Sequence, residues 1–107
     1  MDNHEFLAEA FRGYQKKIDQ FVHFFGTDME SIIERMPYVH AREVLTGIYE
    51  EKKSLRQIGR EVGISPTRVR EIKRQAYRKV REILWDAEAE ERAMNERISE
   101  LRDEYGF

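Results

Sequence analysis

The side chains with the clearest chemical potential in this 107-residue chain are the arginines and lysines between residues 54 and 82. Residues 54–82 carry nine Lys and Arg against three Asp and Glu, a net charge of +6. Residues 1–53 carry −3 and residues 83–107 carry −5, and with the +6 of residues 54–82 these give the chain total of −2. Guanidinium groups bind phosphate oxygens and base edges. One basic segment between two acidic ones therefore predicts a single face for DNA rather than a general polycation.

The glycine and apolar spacing of this segment predicts two helices joined by a tight turn. Ser54 is a suitable N-cap for a first helix over Leu55–Val62. Gly59 leaves room for a second helix to approach closely, and Gly63 stands where the first helix must end in a left-handed residue. Such a unit is the helix-turn-helix that reads DNA. The alternative is a helical hairpin in a bundle core whose exposed face happens to be basic.

The second helix has its own start signal and directs its cations outward. Ser65 suits an N-cap, and Pro66 suits the first helical position. Helical spacing turns Val69, Ile72 and Ala76 toward a core. The candidate DNA contacts are Ser65, Thr67, Arg68, Arg70, Glu71, Lys73, Arg74 and Arg78.

These residues resemble a known family. The stretch from about Met36 to Glu82 is similar to region 4 of the bacterial sigma-70 family, a helix-turn-helix domain. The resemblance is carried by Pro37, Arg42-Glu43-Val44-Leu45, Ser54-Leu55, Ile58-Gly59, Gly63-Ile64-Ser65, Arg68-Val69-Arg70-Glu71-Ile72 and Ala76-Tyr77-Arg78-Lys79-Val80-Arg81. The motifs are specific in combination and weak singly, because other helix-turn-helix families share the glycine and apolar pattern.

The resemblance implies contact with double-stranded promoter DNA in the −35 region and binding to the flap of RNA polymerase. Arg68 and Arg70 match the family pattern, whereas its base-reading Arg-Glu pair is replaced by Pro66 and Thr67 and a usual Gln by Glu71. From its length we expect this chain to lack the sigma region that melts the −10 element. We therefore expect it to act with a separate sigma-like subunit or as a regulator.

Residues 1–35 form the predicted N-terminal segment, and residues 36–82 the helix-turn-helix domain. A long amphipathic helix is expected over Asp2–Phe25, capped by Asp2 or Asn3. Its apolar stripe comprises Leu7, Phe11, Tyr14, Ile18, Phe21 and Phe25. This stripe either packs on the helix-turn-helix core or forms an interface. A short helix capped by Thr27 or Asp28 and a third helix over about Pro37–Tyr49 follow.

Residues 83–107 are predicted to continue the basic helix as an acidic helix. Their apolar residues recur at heptad spacing: Leu84, Ala87, Met94, Ile98, Leu101 and Tyr105. Three arrangements fit this pattern: a coiled-coil arm that gives a homodimer, a tail that folds back on the first helix through a bend near Trp85–Glu90, and a shield over the basic helix. Trp85 is expected in the core or the seam.

Other chemistries have little support in the sequence. The chain has no cysteine, its three histidines (His4, His23 and His40) lie far apart, and no phosphate-binding loop or catalytic motif is present. The first residues, MDNHEF, lack the basic start and apolar run of a secretion signal, so we expect none, and no stretch approaches the ~20 apolar residues that a membrane span needs. We therefore expect a non-enzymatic, all-α, cytoplasmic protein without a cofactor.

Three functions fit this pattern. The first is a stand-alone transcription factor that resembles sigma region 4 and binds promoter DNA and RNA polymerase. The second is a dimeric helix-turn-helix repressor or activator without polymerase contact, which reads a palindrome with half-sites about 34 Å apart. The third is an interaction module that binds polymerase or a sigma factor and does not read DNA.

Overall fold

The computed structural model describes residues 3–105, except for the side chains of Asp103 and Tyr105, and consists there of helices and turns without a β-strand. The helices are α1 (His4–Ala10), α2 (Gln15–Phe25), α3 (Met29–Glu34), α4 (Ala41–Leu45), α5 (Leu55–Val62) and α6 (Pro66–Tyr105). A π-helical turn over Thr46–Glu50 continues α4. The predicted all-α class, with a helix-turn-helix and a long C-terminal helix, is confirmed.

The N-terminal segment is two helices, so the prediction of one helix over Asp2–Phe25 is wrong. Arg12 and Gly13 both adopt left-handed backbone angles, with φ of 55° and 72°, and these end α1 and turn the chain into α2. Asn3 occupies the N-cap position of α1, but its buried amide has no hydrogen-bond partner among the described residues. The alternative cap, Asp2, lies outside the described residues.

The apolar side chains of these two helices pack inward. Phe6 and Leu7 of α1 and Phe21 of α2 are at most 1% exposed, and they join a core that includes Ala76 and Val80 of α6. Burying a phenylalanine contributes roughly 1.5–3 kcal/mol. The stripe therefore packs on the helix-turn-helix core, as one of its two interpretations predicted. Tyr14 does not follow the stripe, because it lies in the turn and is 58% exposed.

Two short helices bridge the N-terminal pair and the helix-turn-helix. Asp28 caps α3, since its carboxylate accepts hydrogen bonds from the Glu30 backbone N–H at 3.1 Å and the Ser31 hydroxyl at 2.9 Å. The next helix begins at Ala41 and not at Pro37, because His40 at its N-cap position has a left-handed φ of 70°. The chain therefore runs as a short non-helical connection between these helices.

Gly47 lies in the π-helical turn, where the chain packs closely on α5. A Cβ atom at this position would stand 2.9 Å from both Cγ1 and Cδ1 of Ile58. Ile58 is itself buried in a cluster with Val44, Val69 and Ile72. The glycine is therefore required by the close approach of α5, which offsets its low helix propensity.

The last helix is the longest feature of the molecule. α6 has 40 residues, which corresponds to about 60 Å, and the longest dimension of the described structure is 63 Å. The helix is continuous through Trp85–Glu90, so the predicted bend and the fold-back of the tail are both wrong. Every described side chain from Glu90 onward is exposed. Trp85 is 66% exposed, so its predicted place in the core is also wrong.

Candidate nucleic-acid interface

The turn between α5 and α6 fixes where the basic helix begins. The Ser54 hydroxyl caps α5 by accepting a hydrogen bond from the Gln57 N–H at 3.1 Å. Gly63 ends the helix with φ of 85°, and its N–H donates to the Gly59 carbonyl at 2.8 Å. A Cβ on Gly59 would meet the Ile64 carbonyl oxygen at 2.5 Å. Gly63 therefore ends the helix as predicted, whereas Gly59 makes room chiefly for the backbone of the turn rather than for the second helix.

The start of α6 is capped by a side chain from the turn. The Ser65 hydroxyl accepts a hydrogen bond from the Arg68 N–H at 3.0 Å, and Pro66 is the first helical residue. Val69 and Ile72 anchor this end of the helix in the core, with 0% and 1% exposure. The free backbone N–H groups and the positive end of the helix dipole at this end favour an anion nearby.

One face of α6 carries an outward ridge of cations. A helix turns about 100° per residue, and this places Arg70, Arg74, Arg78 and Arg81 opposite the buried Val69, Ile72 and Ala76. All four arginines are exposed, and so is Thr67 at the start of the same ridge. We call the set of Thr67, Arg70, Arg74, Arg78 and Arg81 the arginine ridge.

The other predicted contacts flank this ridge. Arg68 pairs with Glu71 at 3.1 Å, so this ion pair occupies one side of the helix. Lys73 is half-buried on the other side, with its ammonium 5.9 Å from the centre of the Tyr77 ring. The structure therefore brings the eight predicted residues onto the cap and first four turns of α6. Their contact with DNA remains a prediction.

A cluster of one carboxylate and two tyrosines joins α1 to α6 beside the ridge. Both the Tyr49 and the Tyr77 hydroxyls donate to the Glu9 carboxylate, and the two hydroxyl oxygens are 2.6 Å apart. Burial raises the pKa of Glu9, but the two hydrogen bonds and the charges of Lys73 and Lys52 outweigh it and lower this pKa below its usual value. Burial, and then the hydrogen bond to Glu9, raise the pKa of each tyrosine above its usual value. The cluster is therefore an anion held by two neutral phenols.

Two exposed side chains beside the cations were not foreseen. Arg12 lines a groove with Arg74, Arg78 and Arg81, although it belongs to the turn after α1. Trp85 continues the ridge on the same face of α6, and the guanidinium carbon of Arg92 lies 6.0 Å from its ring centre. This position could have been predicted, because Trp85 follows Arg81 by four residues and residues four apart lie on the same face of a helix. No comparable signal in the sequence places Arg12, because its position depends on the turn at Gly13.

The fold and the outward cations define a helix-turn-helix DNA-binding domain. Residues 40–82 match the family model described as Sigma-70, region 4, so this part of the chain is a sigma-70 region 4 domain. The match covers less than half of the chain and confirms the resemblance predicted for about Met36–Glu82. No curated protein and no solved structure matches the chain.

Two other kinds of functional feature, a metal site and a membrane span, are not found among the described residues. Within residues 3–105, no group of three His, Asp or Glu side chains is placed to hold a metal ion. None of the described helices combines the length and the apolar composition needed to cross a membrane. Sigma-70 region 4 is a DNA-binding family and not an enzymatic one.

Proposed function

We propose that this protein is a transcription factor that binds promoter DNA through the start of α6 and contacts RNA polymerase through the helices before it. The observation that carries the proposal is the arginine ridge. Arg70, Arg74 and Arg78 are exposed, and none of them has an ion-pair partner among the described residues. Unpaired guanidinium groups on a helix that is exposed along one face are suited to phosphates and to guanine edges in the major groove. Such a factor acts on DNA in the cytoplasm.

The residues in the first turn of α6 bear on which DNA sequence the protein reads. In a docked recognition helix, the N-terminal residues reach the base edges. Here those positions are Pro66 and Thr67, and the Arg68–Glu71 ion pair lies beside them. A proline ring and a threonine methyl group favour apolar contact with a thymine methyl group over hydrogen bonds to guanine. We therefore expect a target that differs from the consensus −35 element.

DNA binding is tested by two substitutions and one control. Arg70→Ala and Arg74→Ala should each weaken binding by roughly 1–3 kcal/mol if the residue reads a base, and by less if it meets a phosphate. Arg97→Ala changes an exposed arginine in the far part of the same helix and should have little effect. If fluorescence anisotropy shows that the ridge variants bind DNA as tightly as the unchanged protein, the proposed surface is wrong.

The polymerase contact has to use a surface other than the buried N-terminal stripe. A groove of about 400 Å³ lies between α4 and α5, with Ile58 and Val62 among its lining and Glu43, Glu50 and Glu61 around it. No residue of α6 lines this groove, so a partner bound there would leave the arginine ridge free. A pull-down with core RNA polymerase, with and without the isolated flap as competitor, tests this contact. If the protein binds DNA but not polymerase, the second function, a dimeric regulator without polymerase contact, is favoured.

That second function is a dimeric regulator, and the exposed apolar stripe of α6 favours it. Met94, Ile98 and Leu101 are 65%, 46% and 42% exposed and follow heptad spacing. The side chain of Tyr105, which continues the heptad in the sequence, lies outside the described residues. Light scattering distinguishes the functions, since a mass equal to one chain at concentrations well above those used for DNA binding excludes the dimer.

The position of the stripe favours an antiparallel dimer. The stripe lies on the side of α6 that the shorter helices cover nearer the N-terminus, so a parallel pair would bring the two sets of short helices into the same space. An antiparallel pair separates them and can place Arg97 opposite Glu104 of the second copy. The chain has no cysteine, so Arg97→Cys mixed with Glu104→Cys gives a clean cross-linking test. A Met94→Cys variant that cross-links to itself would indicate the parallel pair instead.

The antiparallel arrangement also predicts how a dimer would meet DNA. The arginine ridge lies on the face of α6 opposite the stripe, so the ridges of the two copies would point away from each other. Such a dimer is unsuited to the palindrome with half-sites about 34 Å apart that the second function predicts, so the stripe supports the dimer but not that mode of DNA reading. The dimer is suited to holding two separate DNA segments.

A further inference from the structure

A second cluster of cations lies between the N-terminal helices and α6. An open groove of about 460 Å³ is lined by four arginines, together with Glu9, Ala10 and Tyr77. The arginines are Arg12, Arg74, Arg78 and Arg81. A neighbouring groove of about 430 Å³ shares Arg12 and Arg81 and continues toward Lys17 and Trp85. Arg12, which lies outside the helix-turn-helix, therefore extends the basic surface formed by the cations of α6.

The turn after α1 holds Arg12 at this place. Phe11 is 8% exposed and anchors the turn in the core. The Gly13 N–H donates to the Ala8 carbonyl at 2.6 Å, and the Arg12 N–H donates to the Glu9 carbonyl at 3.2 Å. These hydrogen bonds fix the backbone of Arg12 while its side chain is exposed. The fold therefore fixes the backbone of Arg12 beside α6, where its side chain lines the groove.

The charges of the groove are not balanced within the described part of the chain. Its one carboxylate, Glu9, is already engaged by the hydroxyls of Tyr49 and Tyr77. Arg12, Arg74 and Arg78 have no ion-pair partner among residues 3–105, and the Arg81 guanidinium donates only to the Tyr77 carbonyl, at 3.3 Å.

Several cations outside the groove are paired within the described residues. Arg42 lies 2.5 Å from Glu30, and Lys53 lies 2.8 Å from Glu61. Several guanidinium groups around one groove repel each other unless an anion lies between them. A phosphate group, which accepts paired N–H bonds from arginine, is the anion best matched to this arrangement.

We propose that Arg12, with Arg78 and Arg81, clamps a backbone phosphate of DNA next to the segment that the start of α6 contacts. The inference rests on the proposed DNA-binding function and assigns part of it to the N-terminal helices. Arg74 and Arg78 belong to both the groove and the arginine ridge, so one duplex lying on the ridge brings its sugar-phosphate backbone to Arg12. The N-terminal pair thereby widens the footprint of the sigma-70 region 4 domain.

The salt dependence of DNA binding measures this contact. A protein that loses one phosphate contact loses roughly 0.9 from the slope of log K against log salt concentration. We expect Arg12→Ala to reduce the slope by about this amount and to weaken binding roughly three- to tenfold near 0.1 M salt, equally for promoter and random duplexes. Arg12→Lys should retain the slope, because it keeps the charge.

A matched control separates this effect from a change in the fold. Lys16 is exposed on α2 and lines neither groove, so Lys16→Ala should leave the slope nearly unchanged. Circular dichroism should show the same melting temperature for the Arg12 variants within a few degrees. If Arg74→Ala weakens binding and Arg12→Ala keeps the full slope, the phosphate clamp is wrong while the proposed function stands. If the unchanged protein does not bind DNA at any salt concentration, the proposed function itself is wrong.

Discussion

The two ends of α6 belong to one helix but lie in different surroundings. From Val69 to Leu84 its inner face is at most 2% exposed and rests on the shorter helices. From Glu90 onward every described side chain is exposed. The first part presents arginines to the solvent, whereas residues 90–107 carry six Asp and Glu against three Arg, a net charge of −3. We call these two parts the packed half and the projecting half.

The comparison shows that the same backbone is maintained by different forces. In the packed half, burial of Val69, Ile72 and Val80 stabilises the helix, even though β-branched residues are poor helix formers. In the projecting half, residues such as Ala, Glu, Arg and Met are good helix formers. A helix that is already nucleated needs only such propagation to continue. The packed half therefore fixes the position of the arginines, and the projecting half extends the helix into the solvent.

The largest expected difference between the halves concerns the removal of an isoleucine. Ile72→Ala should lower the free energy of unfolding by about 2–5 kcal/mol, because it leaves a cavity in the core. Ile98→Ala should change it by less than about 0.5 kcal/mol, because the side chain is 46% exposed. Urea unfolding followed by circular dichroism measures both. A large loss for Ile98→Ala would show that the projecting half is packed in solution, as the proposed dimer requires.

The turn that starts the packed half should be nearly as sensitive. In Gly59→Ala the new Cβ would stand 2.5 Å from the Ile64 carbonyl oxygen, so we expect a loss of about 2–3 kcal/mol despite the better helix propensity of alanine. Gly47→Ala is the matched variant. Its Cβ would meet only the side chain of Ile58, at 2.9 Å, and a loss of about 1 kcal/mol is expected. Equal melting temperatures for the two variants would contradict this ranking.

The turn and cap of the packed half could be predicted because their residues have few alternatives. A glycine at a left-handed position and a Ser-Pro start signal restrict the backbone locally. Gly59, Gly63 and Ser65 accordingly lie where their spacing placed them. The contact that requires Gly47 was not predictable in the same way, since it depends on the packing of α5 against a turn that precedes it by several residues.

The break at Arg12 and Gly13 was missed because the apolar spacing continues across it. Phe11 and Ile18 are both buried, at 8% and 5% exposure, although a turn separates them. A four-residue turn can return the chain to the same core, so periodicity alone does not distinguish it from a continuous helix. Since Arg12 lies in this turn, its place beside the arginine ridge could not be derived from the sequence. Trp85 was predicted in the core or the seam because tryptophan is largely apolar, whereas its position along α6 places it on the exposed face.

The acidic charge of the projecting half should weaken DNA binding only at low salt. Arg78 and Glu91 are thirteen residues apart, which is about 20 Å along a helix and twice the screening length of about 10 Å at 0.1 M salt. Neutralising four exposed carboxylates should therefore raise affinity about threefold near 0.01 M salt and hardly at all above 0.1 M. The substitutions are Glu90→Gln, Glu91→Gln, Glu96→Gln and Glu100→Gln.

The opposite change provides the control for this charge effect. Replacing Arg92, Arg97 and Arg102 with Gln should lower affinity under the same low-salt conditions, since it makes the projecting half more negative. Anisotropy titrations of one duplex at both salt concentrations measure the two sets. An increase that persists above 0.1 M salt would indicate that the acidic helix directly covers the ridge, as a shield would.

The smallest expected effect concerns the pH dependence of the link between α1 and the packed half. Partial burial raises the pKa of Glu9, but hydrogen bonds from Tyr49 and Tyr77 outweigh it and lower this pKa, so folding favours the ionised carboxylate. Its contribution to stability is present above the unfolded-state pKa of about 4.3 and is lost as the pH falls through the lower folded-state pKa. Because the side chain is exposed and solvent screens it, the contribution should stay below about 0.5 kcal/mol.

Glu9→Gln should therefore flatten the fall in melting temperature between about pH 5 and pH 3, whereas Glu100→Gln in the projecting half should leave it unchanged. Identical pH profiles for Glu9→Gln and the unchanged protein would mean that the two phenols do not hold this carboxylate in solution.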